Sequence, residues 1–244
     1  WYRSKKGLKK DVKNLRQIKL TLFETLFKII RKMINSFFQE REQNMQILGD
    51  STPLFPAVIA SHTPGEVSLK RRLLAYFVLA IIGSFLLTIS AKVQIPFYPV
   101  PMTMQTLVVL LIGMTYGPYL AAVTISLYII QGVMGFPVFA GGGGIAYIIG
   151  PTGGYIIGFL ISATFLGLLA NRGLGKTWKT TAISMIAGVF IIFLSGISWL
   201  SIYIGFEAAI LKGFIPFIYA DCLKIIIASF AMPTAWSFVD KILK

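Results

Sequence analysis

Residues 135–154 read GFPVFAGGGGIAYIIGPTGG, a glycine-rich stretch with no charged residue, set between two long uncharged runs. Inside a bilayer every backbone N–H and C=O must find a partner, so non-helical chain at membrane depth is tolerated only where protein buries it or where it lines a cavity. A loop this apolar and this rich in glycine reads as a wall, and a wall implies something enclosed.

The composition places the whole chain in the same setting. Of 244 residues 56% are hydrophobic and 13% charged, and the mean hydropathy is +0.76; soluble domains carry about 25% charged residues. One cysteine, Cys222, and one histidine, His62, exclude a disulfide framework and a zinc-type ligand cluster, both of which need several such residues at fixed spacing. The charge is unevenly spread: residues 1–72 hold 15 of the 23 Lys and Arg and 6 of the 9 acidic residues.

Measured against the roughly 20 residues that a helix needs to cross the hydrocarbon core, the chain beyond residue 72 divides into six apolar segments, at 73–91, 102–116, 119–134, 153–170, 181–204 and 214–239. The second and third are short and joined only by Gly117 and Pro118. They read as two short helices or as one long kinked run, because proline removes a donor and clashes with the preceding turn; an unbroken run would exceed 30 residues, which favours two. Basic residues cluster at three places: Lys70, Arg71 and Arg72 before the first span, Arg172, Lys176 and Lys179 between the fourth and fifth, and Lys241 and Lys244 after the sixth. All three lie on one side of a six-span model, and the positive-inside bias makes that side cytoplasmic, with both termini. Loops 92–101, 135–151 and 205–213 then face outward.

Residues 1–69 form a separate basic region. Leu15, Ile18, Leu22, Leu26, Ile29, Met33 and Phe37 recur at helical spacing among lysines and arginines, which fits a cationic amphipathic helix on an anionic membrane surface. Equally, the residues ahead of Met45 fit an upstream stretch included by a misplaced start. Pro53, Pro56 and Pro64 mark 50–68 as linker.

Two charges stand inside the last span, in FIYADCLKIIIASFAMPTAW: Asp221 and Lys224. Three apart, they share a helix face. Ionisable residues within a span face a cavity or one another, since exposing one to lipid costs about 2.5 to 3.5 kcal/mol. A carboxylate acceptor beside an ammonium donor suits a ligand carrying N–H together with C=O or carboxylate groups; a buried pair that only fixes packing is the alternative. Prolines 96, 99 and 101 make the segment before Gln105 an extended outer loop, and Gln105 either points into the cavity or bonds a neighbouring helix. Phe97, Tyr98, Phe139, Tyr147 and Tyr155 can stack on a flat ring, although tyrosine at a membrane interface is common without a ligand. Gly150, Gly154, Gly158 and Ser162 make a small-residue stripe for close helix packing, with Ser84 and Thr88 a weaker one.

Residues 170–177, ANRGLGKT, satisfy a permissive phosphate-loop pattern. That loop works between a strand and a helix, with its N–H groups around phosphates; here it leaves a membrane helix, and its basic residues read as topology determinants.

Four stretches carry a resemblance: VPMTMQT at 100–106, GVMGFPVFAGGGG at 132–144, GPTGGYIIGF at 150–159 and DCLK at 221–224. Together they resemble the BioY family, the biotin-specific S components of energy-coupling factor (ECF) transporters, over about residues 73–244; GPTGGY and the Asp-x-x-Lys pair are the specific parts. The resemblance implies an all-α integral membrane protein of the cell membrane, a compact bundle of six transmembrane helices over 70–244 with its ligand site under the outer loops. It implies capture of biotin from outside, without enzymatic chemistry or a cofactor. The implied partners are a transmembrane coupling protein, two ABC-type ATPase subunits and the lipid bilayer, with no nucleic acid. Asp221 and Lys224 take the place of the family's last-span pair, and Gly141, Gly142, Gly143 and Gly144 that of its glycine loop. Phe139, Tyr147, Tyr155 and Gln105 complete the expected ligand-binding set. Tyr219 and Ala220 stand where relatives often have Pro-Gly, and the AGGGG run offers no polar side chain, so loop contacts to ligand fall to the backbone. The other readings are an S component for another vitamin such as thiamin or riboflavin, a solitary permease, an intramembrane enzyme, for which only Cys222 beside Asp221 is available, and a purely structural bundle. Cys222 itself reads as a core residue.

Overall fold

The structure, a computed structural model, describes Lys28 and residues 69–243. The basic region expected at 1–69 and its linker lie outside the described residues, apart from Lys28 and Leu69. The elements run α1 (Leu69–Lys92), β1 (Gln94–Ile95), β2 (Met102–Thr103), α2 (Gln105–Val133), α3 (Ile145–Ile149), α4 (Gly153–Asn171), α5 (Trp178–Ile204), α6 (Phe206–Gly213) and α7 (Ile215–Leu243). Among the described residues five of these helices are long and apolar enough to cross a membrane: α1, α2, α4, α5 and α7.

Helix α2 is two arms. Gly117 has φ 76° and ψ 173°, outside the helical region, a conformation that glycine adopts without strain, and Pro118 follows. Gln105 Nε2 donates to Tyr128 Oη at 2.7 Å. In a straight helix 23 residues would separate those positions by about 35 Å, so the arms at 105–116 and 118–133 fold back side by side. The chain therefore breaks where Gly117 and Pro118 stand in the sequence. Helix α4 seats Gly167 against this turn, where a Cβ would lie 2.3 Å from Pro118 N.

Burial is arranged for lipid. Along α1 the exposed large apolar side chains are Leu73, Leu74, Phe77, Val78, Ile81, Ile82, Phe85, Leu86 and Ile89, whereas Ala80, Ser84, Leu87 and Ala91 turn inward. Ser84 Oγ donates to Gln131 Oε1 on the second arm of α2 at 2.6 Å, and Tyr116 Oη of the first arm to Leu79 O at 3.0 Å. Such interhelical bonds and close approaches hold helices together where lipid is as apolar as the side chains. The stripe on α4 serves α5: Ser195 Oγ donates to Gly154 O at 2.8 Å and Ser162 Oγ to Gly188 O at 2.9 Å.

Residues 170–177 join two helices. The chain leaves α4, and Thr177 caps α5 by accepting from Thr180 N–H at 3.4 Å; no strand precedes the segment. Lys176 Nζ lies 5.4 Å from the Trp236 ring centroid, which sets this turn against the last third of α7. Cys222, expected in the core, is exposed: on α7 it falls beside Asp221, one step around the helix from the buried face.

Candidate functional site

At the other end of the bundle the segments after α1, α2 and α5 come together. Loop 135–144 is held by its main chain. Val138 O accepts from Tyr128 Oη at 3.1 Å, Phe139 O from Lys92 Nζ at 2.7 Å, and Ala140 O from Gln94 Nε2 at 3.2 Å. Within the loop Phe139 and Gly142 exchange backbone bonds at 2.8 and 3.2 Å, and Gly142 takes φ 128°, which only glycine tolerates well. Farther along, Trp199 Nε1 donates to Gly150 O at 3.0 Å and Tyr203 Oη to Ile149 O, so α5 fixes α3 and the turn into α4. Tyr155 Oη donates to Gly213 O at 2.8 Å, securing α6.

These segments close over a cavity of about 40 Å³. Its apolar wall includes Val100, Pro101, Ala140, Ile156, Phe159, Ile192, Phe193 and Phe217, and its polar lining is Thr103, Gln105, Thr106, Thr152, Asp221 and Lys224. Phe139, Tyr147 and Tyr155 add aromatic walls. Phe139 and Tyr147 stack at 5.0 Å between centroids and 19° between planes, and Tyr128 meets Phe139 edge-on at 5.4 Å. A mostly apolar pocket with a few convergent polar groups is the usual form of a small-molecule site.

The charged pair occupies one side of it. Asp221 and Lys224 are 2% and 5% exposed, one helical turn apart near the start of α7. Lys224 Nζ donates to Asp221 Oδ1 at 2.6 Å, to Thr103 O at 2.8 Å and to Thr106 Oγ1 at 2.8 Å. An ammonium has three donors, and all three are used within the protein. Thr106 Oγ1 donates to Asp221 Oδ1 at 3.0 Å. Asp221 Oδ1 thus takes two bonds, while Oδ2 is buried without a partner. Among the described residues it is the one buried side-chain polar atom left so, and an unpaired carboxylate oxygen in an apolar pocket is a demand for a donor.

Of the residues expected to bind ligand, Asp221, Lys224, Gln105, Phe139, Tyr147 and Tyr155 all line this cavity. Gln105 does both things open to it, since it lines the cavity and bonds Tyr128 across the arms. Gly141, Gly142, Gly143 and Gly144 are not among the lining residues. They shape the turn behind the wall: a Cβ on Gly143 would lie 2.1 Å from Phe136 O, and Gly144 N–H donates to Gly132 O at 2.6 Å. From this loop it is Phe139 and Ala140 that line the cavity. Tyr98 is 85% exposed and stands away from the cavity, and Phe97 reaches it only through an edge contact with Phe217 at 6.4 Å. Sequence reasoning missed Thr103, Thr106 and Thr152. The first two were legible only as two threonines three apart at the start of a span.

A family model described as the BioY family matches residues 63–241. The chain is 44% identical over 140 residues to a probable biotin transporter BioY of Pyrococcus horikoshii, covering 57% of this chain and 82% of that protein. It is 36% identical over 146 residues to the biotin transporter BioY of Thermotoga maritima, covering 59% and 85%. The crystal structure of the S-component for biotin from an ECF-type ABC transporter superposes with a TM-score of 0.62 over 70% of this chain and 95% of that one, at 23% identity, a likeness of fold. Five membrane-length apolar helices and a family model that spans most of the sequence lead to one statement: this is a multi-pass membrane protein, and the chain belongs to the BioY family.

Proposed function

We propose that the protein captures biotin for uptake, as the substrate-binding S component of an ECF-type transporter, and performs no chemistry on it. The observation that carries this is the buried, unpartnered Oδ2 of Asp221, a residue that lines a cavity walled by aromatic and aliphatic side chains. A ureido ring offers N–H donors to such an oxygen, and the thioether ring and valerate tail suit the apolar wall. The relatives in Pyrococcus horikoshii and Thermotoga maritima, a probable and a named biotin transporter, support the same ligand. Lys224 balances the carboxylate; to donate to a ureido oxygen or a carboxylate it exchanges its bond to Thr103 O or Thr106 Oγ1.

A cavity of about 40 Å³ has room for a few waters, far less than a bicyclic vitamin with its tail. Biotin therefore enters by parting the wall, and Phe139 and Ala140 stand in one of the wall segments not built into a helix, with Val100, Pro101, Thr103 and Thr152 in the others. In this reading the arms of α2 each cross the bilayer, giving six crossings over 70–244 in the cell membrane. Both termini and the turn at Arg172, Lys176 and Lys179 are cytoplasmic, and the site opens outward. A transmembrane coupling protein and two ABC-type ATPase subunits then drive release inward.

Calorimetric titration of the purified protein with biotin tests the assignment, with thiamin and riboflavin as competitors. Wild type is expected to bind biotin alone, and Asp221→Asn combined with Lys224→Ala to lose that binding. Biotin bound as tightly by the double variant as by wild type would overturn the site, and co-purification with ATPase subunits checks the assembly.

A further inference from the structure

We infer that Thr106 is a positioning residue for ligand recognition: its hydroxyl holds the Asp221 carboxylate so that Oδ2 alone faces the ligand. The inference rests on the biotin reading above and adds a residue from another helix to it.

Hydroxyls inside this bundle commonly turn back on their own helix. Thr115 Oγ1 donates to Leu111 O, Thr124 Oγ1 to Leu120 O and Thr164 Oγ1 to Leu160 O, each at 2.7 Å. These are bonds to the carbonyl four residues back, the ordinary way for a threonine to satisfy itself in an apolar helix. Thr106 does otherwise. It is the second residue of α2, and its hydroxyl crosses to α7, 115 positions along the chain, where it donates to Asp221 Oδ1 at 3.0 Å and accepts from Lys224 Nζ at 2.8 Å.

A hydroxyl has one proton and two lone pairs, so this pattern gives each group a fixed role. The Thr106 proton goes to Oδ1, a lone pair takes one Lys224 donor, and Lys224 gives a second donor to the same Oδ1. Two bonds on one carboxylate oxygen hold the group against rotation about its Cβ–Cγ bond, with the other oxygen left for ligand. Without the hydroxyl, Oδ1 keeps only Lys224, and the carboxylate is free to swing so that Lys224 serves either oxygen. The ligand N–H would then compete with Lys224 for its acceptor.

The test uses the full-length purified protein and two ligands: biotin, and biotin methylated at whichever ureido nitrogen weakens binding to wild type. Thr106→Val is expected to weaken biotin binding by about tenfold to a hundredfold, the fold-change equivalent to one hydrogen bond to a charged group. Thr106→Ser, which restores the hydroxyl, is expected to bind within about threefold of wild type. The discriminating result is non-additivity: against the methylated ligand, which lacks the N–H that Asp221 receives, Thr106→Val should cost less than about threefold. Should the valine protein not fold, Thr106→Ala carries the same comparison. An equal penalty against both ligands would assign Thr106 a general structural role, and valine binding biotin as wild type does would remove it from recognition; either overturns the inference and leaves the biotin reading standing. Wild type failing to bind biotin overturns both.

Discussion

Lys224→Met should be among the most damaging single substitutions in this bundle, and Asp221→Asn on top of it should repair much of the damage. The ammonium lies 2.6 Å from Asp221 Oδ1, with side chains 6% and 3% exposed. Removing it leaves a carboxylate in an apolar enclosure with only the Thr106 hydroxyl as donor. Breaking a buried ion pair from one side costs about 3–5 kcal/mol, whereas replacing both partners with neutral groups of similar size is often close to neutral. Methionine matches the lysine stem, so lost packing adds little, and the Thr103 carbonyl that loses its partner adds about 1–3 kcal/mol to both the single and the double variant. The expected order of stability is wild type, then the double variant, then Lys224→Met, with the two sites coupled favourably in the double-mutant cycle. The assay is denaturant unfolding of the ligand-free protein in mild detergent, followed by tryptophan fluorescence. Lys224→Met unfolding at the wild-type midpoint would refute the reasoning, because it would mean that water already shields the pair. A double variant at least as unstable as the worse single would refute it too, by showing that the charges do not depend on each other.

Two further substitutions test how the loop is built. Gly143→Ala puts a methyl 2.1 Å from Phe136 O and should displace the turn that presents Phe139 and Ala140, lowering biotin affinity more than tenfold, while Gly150→Ala, whose Cβ meets nothing nearer than 3.3 Å, should cost less than about threefold; calorimetry on both checks the contrast, and equal affinities would refute it. Lys92→Met removes the donor to Phe139 O; because Lys92 is exposed, water replaces part of the bond, and the change of about 0.5–1.5 kcal/mol should appear as a two- to tenfold faster release of labelled biotin, with an unchanged rate counting against a fastening role.

Much of the fold could be read from the sequence because lipid makes one demand on every span. The apolar segments beyond residue 72 correspond to the long helices, and the break at Gly117 and Pro118 announced itself through two residues that do not continue a helix. The short helices α3 and α6 did not. Ile145–Ile149 and Phe206–Gly213 lie in segments read as loops, and they are held by distant partners, Tyr203 and Trp199 for the end of α3 and Tyr155 for Gly213, which no local pattern reveals. At the site, Asp221 and Lys224 were conspicuous because charges are rare in a span. Thr106 was not, since its letter is the same as that of Thr115 or Thr124, and only the packing of α2 against α7 decides which hydroxyl turns outward from its helix. The glycine run reads in the sequence as a place of close contact with ligand; in the structure its close approaches are those of Gly143 to the loop's own Phe136 carbonyl and of Gly141 to Tyr147.

The loop over the cavity is fastened at three successive carbonyls, those of Val138, Phe139 and Ala140, by side chains from elsewhere in the bundle. Every amino acid supplies the same carbonyl. Residues 138–140 can therefore be exchanged without undoing the clasps, provided that the new side chains fit, and two of them line the cavity. Attachment and selectivity are thus written in different parts of the same residues, the main chain and the side chain, and a pocket constructed this way can be retuned to a differently shaped ligand while its cover stays in register.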